Sequence, residues 1–263
     1  MGLFFPMDDE HLPPGRRKGF ARYREILGRD FKQFYLTNLL ALASFIPLGL
    51  GVGYAVLSSS VLVLIPVSVV GGMIAGQGLA AMYDLILRRM RDVMDDWWVS
   101  FKRSLRQNWR AALLPGALEG LFLGFLAFAG ALIWWGGTLT LGTALLLCAA
   151  IVIFCMIFSI WWPQVVLFEQ KTAIRLKNCA LFILQNFPRV LGAAALQGGF
   201  WLLMFLLLPW SGFAVPVLGV WYILFLAVFL LYDRLNEAFK IEEQIGQKFP
   251  EQAPGYDDGG EEE

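Results

Sequence analysis

Three long stretches of the chain are almost free of charge, and they restrict its fold more than any other feature. Residues 33–83 and 190–232 contain no Asp, Glu, Lys or Arg, and residues 111–168 contain one such residue, Glu119. A helix that crosses the hydrocarbon core of a bilayer needs about 20 apolar residues. Each stretch is therefore long enough for two crossings and a short turn. A soluble protein with an unusually large core is the alternative, but only 16% of the residues are charged.

Turn residues divide each of these stretches near its middle. Ser, Gly and Pro, which are typical of turns, occur in LSSS at 57–60, in WWGGT at 134–138 and in PWSGF at 209–213. The apolar runs between them are continuous, whereas the strands of a membrane β-barrel alternate. The sequence therefore predicts an all-α polytopic membrane protein with six transmembrane helices arranged as three hairpins. The predicted spans are 34–56, 61–82, 112–134, 140–167, 190–208 and 213–232.

The distribution of basic residues predicts the orientation of these spans. None of the 21 Lys and Arg residues lies in the three hairpin turns. Short loops rich in Lys and Arg stay on the cytoplasmic side, so both termini and both long loops are predicted to be cytoplasmic. The chain then divides into an N-terminal cytoplasmic segment with an amphipathic helix (1–32), a six-helix transmembrane domain (33–235) and an acidic cytoplasmic tail (236–263). The end of this tail is expected to be disordered.

The segment before the third span, DDWWVSFKRSLRQNWR at 95–110, combines an aromatic stripe with a row of cations. At helical spacing the large apolar side chains share one side, and Lys102, Arg106 and Arg110 form a row on another. Such a helix is typical of the membrane interface, where cations meet anionic headgroups. A helix in a soluble core is the alternative. The predicted interface residues are Trp97, Trp98, Phe101, Lys102, Arg103, Arg106, Trp109 and Arg110.

Part of this segment recurs later in the chain. QNWRAALLPGALEGLF at 107–122 resembles QNFPRVLGAAALQGGF at 185–200, and KQFYLTNLL at 32–40 matches more weakly. A basic, aromatic-bearing segment precedes each match. The chain is therefore interpreted as three copies of one unit, an interfacial helix on the cytoplasmic side followed by a membrane hairpin. Chance similarity between two biased sequences is the alternative.

Glu119 and Gln197 occupy equivalent positions in this repeat, and both are candidate polar residues within the membrane. Glu119 follows Arg110 by nine residues and would lie roughly 13 Å deeper, at about 1.5 Å per residue. A carboxylate at that depth is costly and is usually functional or paired. One interpretation is a proton or cation site that faces a polar cavity. The other is a hydrogen bond to a neighbouring helix, a role that the neutral Gln197 can fill equally well.

Glycines recur at a spacing that favours close helix packing. GGMIAGQG at 71–78 places Gly72 and Gly76 four residues apart, and Gly116, Gly120 and Gly124 repeat this spacing. Small residues let two membrane helices approach closely, either within one chain or between two chains. The pattern therefore leaves the oligomeric state open.

Patterns typical of enzyme sites are missing from the sequence. The chain has a single histidine, His11, and contains no GxxxxGK[ST], GxSxG or CxxC motif. Asp95 and Asp96 are neighbours, and neighbouring residues on a helix point about 100° apart. Capping of the following helix therefore explains them better than a shared substrate. We expect no enzymatic activity, no metal site, no cofactor and no nucleic-acid partner. The three cysteines are expected to be packing residues.

Residues 16–122 also carry a family pattern. FYLTNLLALASFIPLG is followed by a glycine-rich span ending in AAMYDLILRRMRD and then by WWVSFKRSLRQNWRAAL. This order resembles the YesL family of bacterial integral membrane proteins, whose second span is similar to GPxxAGLxYVLR and whose interfacial stretch is similar to DFxxSFKxNWKQA. DDWWVS departs from the Asp-Phe of that stretch, and beyond residue 122 the likeness is mainly one of topology. The matching residues are Asn38, Leu39, Leu40, Pro47, Tyr83, Arg88, Phe101, Lys102, Asn108 and Trp109.

The resemblance implies a multi-pass protein of the bacterial cell membrane, in a family without an established reaction. Genes of that family often accompany genes for oligosaccharide uptake and processing, which implies an accessory role beside carbohydrate transporters. The expected function is that of a non-enzymatic membrane accessory or scaffold protein that contacts anionic headgroups and a membrane transporter partner. A small permease or channel with Glu119 in a polar pathway is the alternative.

Overall fold

The computed structural model describes residues 17, 19–137 and 139–248, without the side chains of residues 246–248. The acidic residues from 251 to the end, expected to be disordered, lie outside the described residues. The described part of the chain is helical, without strands. Its helices are α1 Gly19–Leu57, α2 Val61–Met90, α3 Trp97–Gly136, α4 Leu141–Leu167, α5 Thr172–Gln185, α6 Phe187–Leu206, α7 Ser211–Ala214, α8 Gly219–Phe239 and α9 Ile241–Lys248.

Six segments of the described chain are long and apolar enough to cross a membrane. They are α1, α2, α3, α4, α6 and the segment Ser211–Phe239, which contains α7 and α8. In five of the six, most residues of the most apolar 18-residue stretch are not buried inside the protein. So much exposed apolar surface suits helices that lipid surrounds and is rare in a soluble monomer. The prediction of an all-α, multi-pass membrane protein with six spanning helices is confirmed.

Polar caps and one glycine set the ends of several spans. Ser60, Asp96 and Thr140 each accept a hydrogen bond from the backbone N–H three residues later, at the start of α2, α3 and α4. The α3 helix ends where Gly137 adopts a φ of +64°, a left-handed conformation that glycine takes at no steric cost. These ends coincide with two of the predicted turns, at LSSS and WWGGT.

The basic segments that precede the spans differ in their continuity. Residues 19–32 and 97–110 run without a break into α1 and α3, which are 39 and 40 residues long. The third segment forms a separate helix, α5, and Asn186 separates it from α6. Pro188 explains this difference, because it stands where the matching segment before α3 has Arg110. Proline lacks an N–H and disfavours the helical conformation of the residue before it.

The last span begins with a break that the sequence did not predict. Regular helix starts only at Gly219, after the short α7. The fully buried Asn38 of α1 occupies this point: its Oδ1 accepts from the N–H of Val220, and its Nδ2 donates to the carbonyl of Pro216, both at 2.9 Å. Asn38 thereby accepts from an N–H that the start of a helix leaves without a partner, and it also holds the carbonyl of the turn before α8.

Glycines on two sides of α2 form its contacts with α1 and α3. A Cβ atom at Gly72 would lie 2.3 Å from the carbonyl oxygen of Gly116 and 2.7 Å from the Cα of Gly120. On the side that faces α1, a Cβ atom at Gly78 would lie 2.9 Å from the Cα of Ala41. The backbones therefore approach more closely than any side chain permits. The glycine spacing seen in the sequence thus serves contacts within one chain.

We expect Gly120→Ala to lower the free energy of unfolding by about 1–3 kcal/mol, because overpacking forces neighbouring backbone apart. The added Cβ would lie 2.4 Å from the Cα of Gly72, so α2 and α3 would have to separate. Gly130 in the same helix is the matched control, since nothing lies within 4 Å of its Cβ position. Gly130→Ala should be neutral or slightly stabilising. Thermal unfolding in detergent measures both, and equal midpoints would contradict this packing.

Candidate functional site

The first half of α3 has one buried side and one exposed side. On the buried side, Ser100 and Ser104 are almost inaccessible, and Trp97 donates from Nε1 to the Thr37 hydroxyl of α1 at 2.8 Å. The exposed side is called here the basic-aromatic face. It consists of Trp98, Lys102, Arg103, Arg106, Trp109 and Arg110.

The aromatic stripe predicted from the sequence is divided between the two sides of α3. Trp97 and Phe101 are half-buried, whereas Trp98 and Trp109 are 47% and 48% exposed. The stripe was expected to face the helix bundle or lipid, and the exposed tryptophan rings suit lipid. Small residues such as Ser100 take the inner positions. Closely packed membrane helices place small residues at their contacts and leave large ones for lipid.

Two cations of the basic-aromatic face stack on tryptophan rings of the same helix. The Lys102 Nζ lies 5.4 Å from the ring centroid of Trp98, and the Arg110 guanidinium carbon lies 5.1 Å from that of Trp109. Contacts of this kind favour a cation held beside the ring. The ion pairs found among the described residues involve none of the four cations on this face. Their charge is therefore available to an external anion.

Behind this face, a set of arginines and acidic residues joins the end of α2 to α1 and to the segment before α3. We call it the ionic network. Each of its four arginines is paired with at least one of five acidic residues, as buried charges require. Its members are Arg22, Glu25, Arg29, Asp30, Asp84, Arg88, Arg89, Asp92 and Asp95.

Asp92 and Asp95 link the parts of this network. Asp92 lies 2.5 Å from Arg22 and 2.9 Å from Arg29, which ties the end of α2 to α1. Asp95 lies 3.1 Å from Arg88 and also accepts the Ser100 hydroxyl. The segment between α2 and α3 is thus held on both sides, and it fixes where α3 starts.

The neighbouring residues Asp95 and Asp96 have different roles. Asp96 caps α3 through the N–H of Val99 at 2.9 Å, as predicted. Asp95 belongs to the ionic network and lies 3.5 Å from Arg89, whose side chain is fully buried. Sequence reasoning missed this role, because the arginine partners lie on α2 and come close to Asp95 only through the turn between α2 and α3.

Replacement of these two aspartates should give unequal effects. Asp95→Ala leaves two buried guanidinium groups short of a counter-charge, and we expect a loss of about 3 kcal/mol in the free energy of unfolding. Asp96→Ala removes only a helix cap and should cost about 1 kcal/mol. Chemical denaturation in detergent compares the two variants. An Asp96→Ala loss as large as that of Asp95→Ala would contradict the importance of the network.

Buried groups outside the spans have altered pKa values. Burial raises the pKa of the Cys179 thiol in α5 to about 12, although Gln164 donates a hydrogen bond to it at 3.2 Å. Burial lowers the pKa of the Arg91 guanidinium, which follows α2 and donates to the carbonyl of Leu87 at 3.1 Å. A thiol with so high a pKa is a poor nucleophile. Its position fits the packing role expected from the sequence.

Glu119 and Gln197 approach the same helix, α4, from two others. Trp162 donates from Nε1 to the Glu119 carboxylate at 2.7 Å, and Gln197 donates from Nε2 to the Ser159 hydroxyl at 2.5 Å. Ser159 and Trp162 are three residues apart, so equivalent positions of the repeat meet α4 one turn apart. Both contacts match the hydrogen-bonding interpretation of these residues.

We expect Glu119→Gln to change the free energy of unfolding by less than about 0.5 kcal/mol, since the amide oxygen can still accept the Trp162 N–H. Glu119→Leu leaves that buried donor without an acceptor and should cost about 1–3 kcal/mol. Gln197→Leu is the matched comparison and should cost less, because the Ser159 hydroxyl keeps its hydrogen bond to the Cys155 carbonyl at 2.5 Å. Thermal unfolding in detergent provides the measurement. A large loss with Glu119→Gln would show that the charge itself is needed.

Comparisons of the chain with protein-family models, curated proteins and solved structures give no match. The likeness to the YesL family therefore depends on the sequence motifs alone. Three residues that carry it have structural contacts here: Asn38 caps α8, Tyr83 stacks on Trp162 at 6.0 Å, and Arg88 pairs with Asp84 at 3.0 Å. In the described part of the chain, His, Cys, Asp and Glu form no group of three or more that could hold a metal ion.

Proposed function

We propose that this chain is a non-enzymatic accessory or scaffold protein of a bacterial cell membrane, whose basic-aromatic face binds anionic lipid headgroups of the cytoplasmic leaflet. One observation carries the proposal. The four cations of this face are exposed and have no ion-pair partner among the described residues, whereas the opposite side of the same helix is fixed against α1 and α2. A rigid helix thus presents charge and aromatic rings outwards, which is the chemistry of an anionic membrane surface.

The proposed topology places the six spans as three hairpins, with both termini and the basic segments on the cytoplasmic side. The absence of Lys and Arg from the three turns supports this orientation. The length of α3 supports a position outside the hydrocarbon core for its first half. Its 40 residues extend about 60 Å at 1.5 Å per residue, and the hydrocarbon core is only about 30 Å thick.

The resemblance to the YesL family supports an accessory role beside a carbohydrate transporter, which would be the protein partner. A small permease or channel is less well supported. Glu119 is engaged by Trp162 at 2.7 Å. The backbones of α2 and α3 touch at Gly72 and Gly120, which closes the space between those two helices at this depth.

Replacing the four cations of the face by glutamine should remove most of the bound anionic lipid. The test protein is Lys102→Gln, Arg103→Gln, Arg106→Gln, Arg110→Gln, purified with phosphatidylglycerol and phosphatidylcholine. We expect retained phosphatidylglycerol, measured by native mass spectrometry, to fall about tenfold or more, because each basic residue near an anionic surface contributes about 1 kcal/mol.

A second variant controls for the loss of net charge. Arg24→Gln, Lys32→Gln, Lys171→Gln, Lys177→Gln removes four other exposed cations. They are divided between two segments that contain no tryptophan, so this variant should lower phosphatidylglycerol retention much less. Both proteins should unfold at the wild-type temperature, since the exchanged side chains are exposed. Equal retention by the two variants would overturn the proposed function.

A further inference from the structure

We propose that the acidic C-terminal end of this chain, residues 251–263, binds the basic-aromatic face and competes there with anionic lipid headgroups. The inference rests on the proposed function of that face and adds its regulation. Three properties of this segment support the proposal: its negative charge, its length and its attachment to the same molecule.

The charge of the chain divides unequally along its length. Residues 251–263 hold six of the 21 acidic residues and neither Lys nor Arg, so 15 acidic residues face 21 basic ones in the rest of the chain. The remainder therefore carries an excess of six positive charges. The ionic network holds four basic and five acidic residues, so it does not account for this excess. Four exposed cations without ion-pair partners in the described chain are gathered on the basic-aromatic face.

The described C-terminus is anchored near the end of α2. Tyr232 of α8 donates to Glu242 of α9 at 2.9 Å, and Ile241 and Ile245 are buried in the main hydrophobic core. Glu242 also lies close enough to Arg91, just after α2, to stabilise its positive charge. The chain is thus anchored near the end of α2, from which the segment before α3 departs.

The length of the remaining chain is sufficient. Fifteen residues follow Lys248, and they extend up to about 50 Å at roughly 3.3 Å per residue. From Lys102 to Arg110 the face spans only about 12 Å at 1.5 Å per residue. Asp257 and Asp258 are separated from Glu261 and the two following glutamates by two glycines. The two acidic groups can therefore meet cations at both ends of the row.

Attachment to the same molecule favours the tail over a free anion. A short linker gives an effective concentration in the millimolar range, and several charge pairs strengthen one another at low ionic strength. In a neutral bilayer the tail then occupies the face. In an anionic bilayer, many headgroups compete and displace it, so the face responds to membrane composition.

Disulfide formation between the tail and α3 tests the contact directly. In a protein with Cys148→Ala, Cys155→Ala and Cys179→Ala, we introduce Glu262→Cys together with Gln107→Cys, an exposed position between the cations. The matched control pairs Glu262→Cys with Ala173→Cys, an exposed position on α5. In phosphatidylcholine nanodiscs the first pair should oxidise several times faster than the control. Phosphatidylglycerol or high salt should abolish the difference.

Equal rates for the two pairs would overturn the proposal, and disulfides formed only between molecules would overturn its intramolecular form. Neutralising the tail with Asp257→Asn, Asp258→Asn, Glu261→Gln, Glu262→Gln and Glu263→Gln should raise phosphatidylglycerol retention by about threefold or more, because a tethered competitor is lost. No rise would likewise contradict the competition.

The two proposals fail in different ways. If the face does not bind lipid, the four glutamines in α3 leave phosphatidylglycerol retention unchanged, while the disulfide with Gln107→Cys still forms. If the tail does not bind the face, those glutamines lower retention equally with either tail, and the disulfide rates are equal.

Discussion

Backbone contact between α2 and its two neighbours is the interaction on which the rest of the structure depends. Within a bilayer, lipid tails are as apolar as leucine, so apolar burial gives helices little reason to associate. Close packing of backbone atoms supplies the attraction instead, and Gly72, Gly78 and Gly120 permit it. Spans held so closely bring their charged ends together. The ionic network follows from this, because crowded charges with little access to water have to be paired.

The network in turn determines which side of α3 faces outwards. Asp95 ties the segment before α3 to Arg88, and Trp97 at the start of the helix bonds to Thr37 of α1. With its first turn fixed at two points, the helix cannot rotate about its axis. The basic-aromatic face is therefore a consequence of contacts made on the opposite side of the same helix.

The number of spans and most of their ends could be predicted from the sequence, because the cost of charge in lipid depends on composition along the chain alone. The side of α3 that packs against the bundle could not, because the aromatic stripe suits contact with either the bundle or lipid, and in the structure Ser100 and Ser104 take the inner positions. The cap that Asn38 provides for α8 was also hidden. Its partners lie about 180 residues away, and no local pattern marks a contact of that range.

The Asn38 cap has a consequence for the order in which the spans assemble. The ribosome delivers the first span long before the last, so the Asn38 amide enters the membrane without the groups that it will finally bind. Only when α8 arrives do Val220 and Pro216 complete its hydrogen bonds. The start of α8 equally depends on α1 already being in place. The first and last spans of the membrane domain therefore satisfy each other's polar groups. A chain that stops before α8 leaves the buried Asn38 amide without these hydrogen bonds.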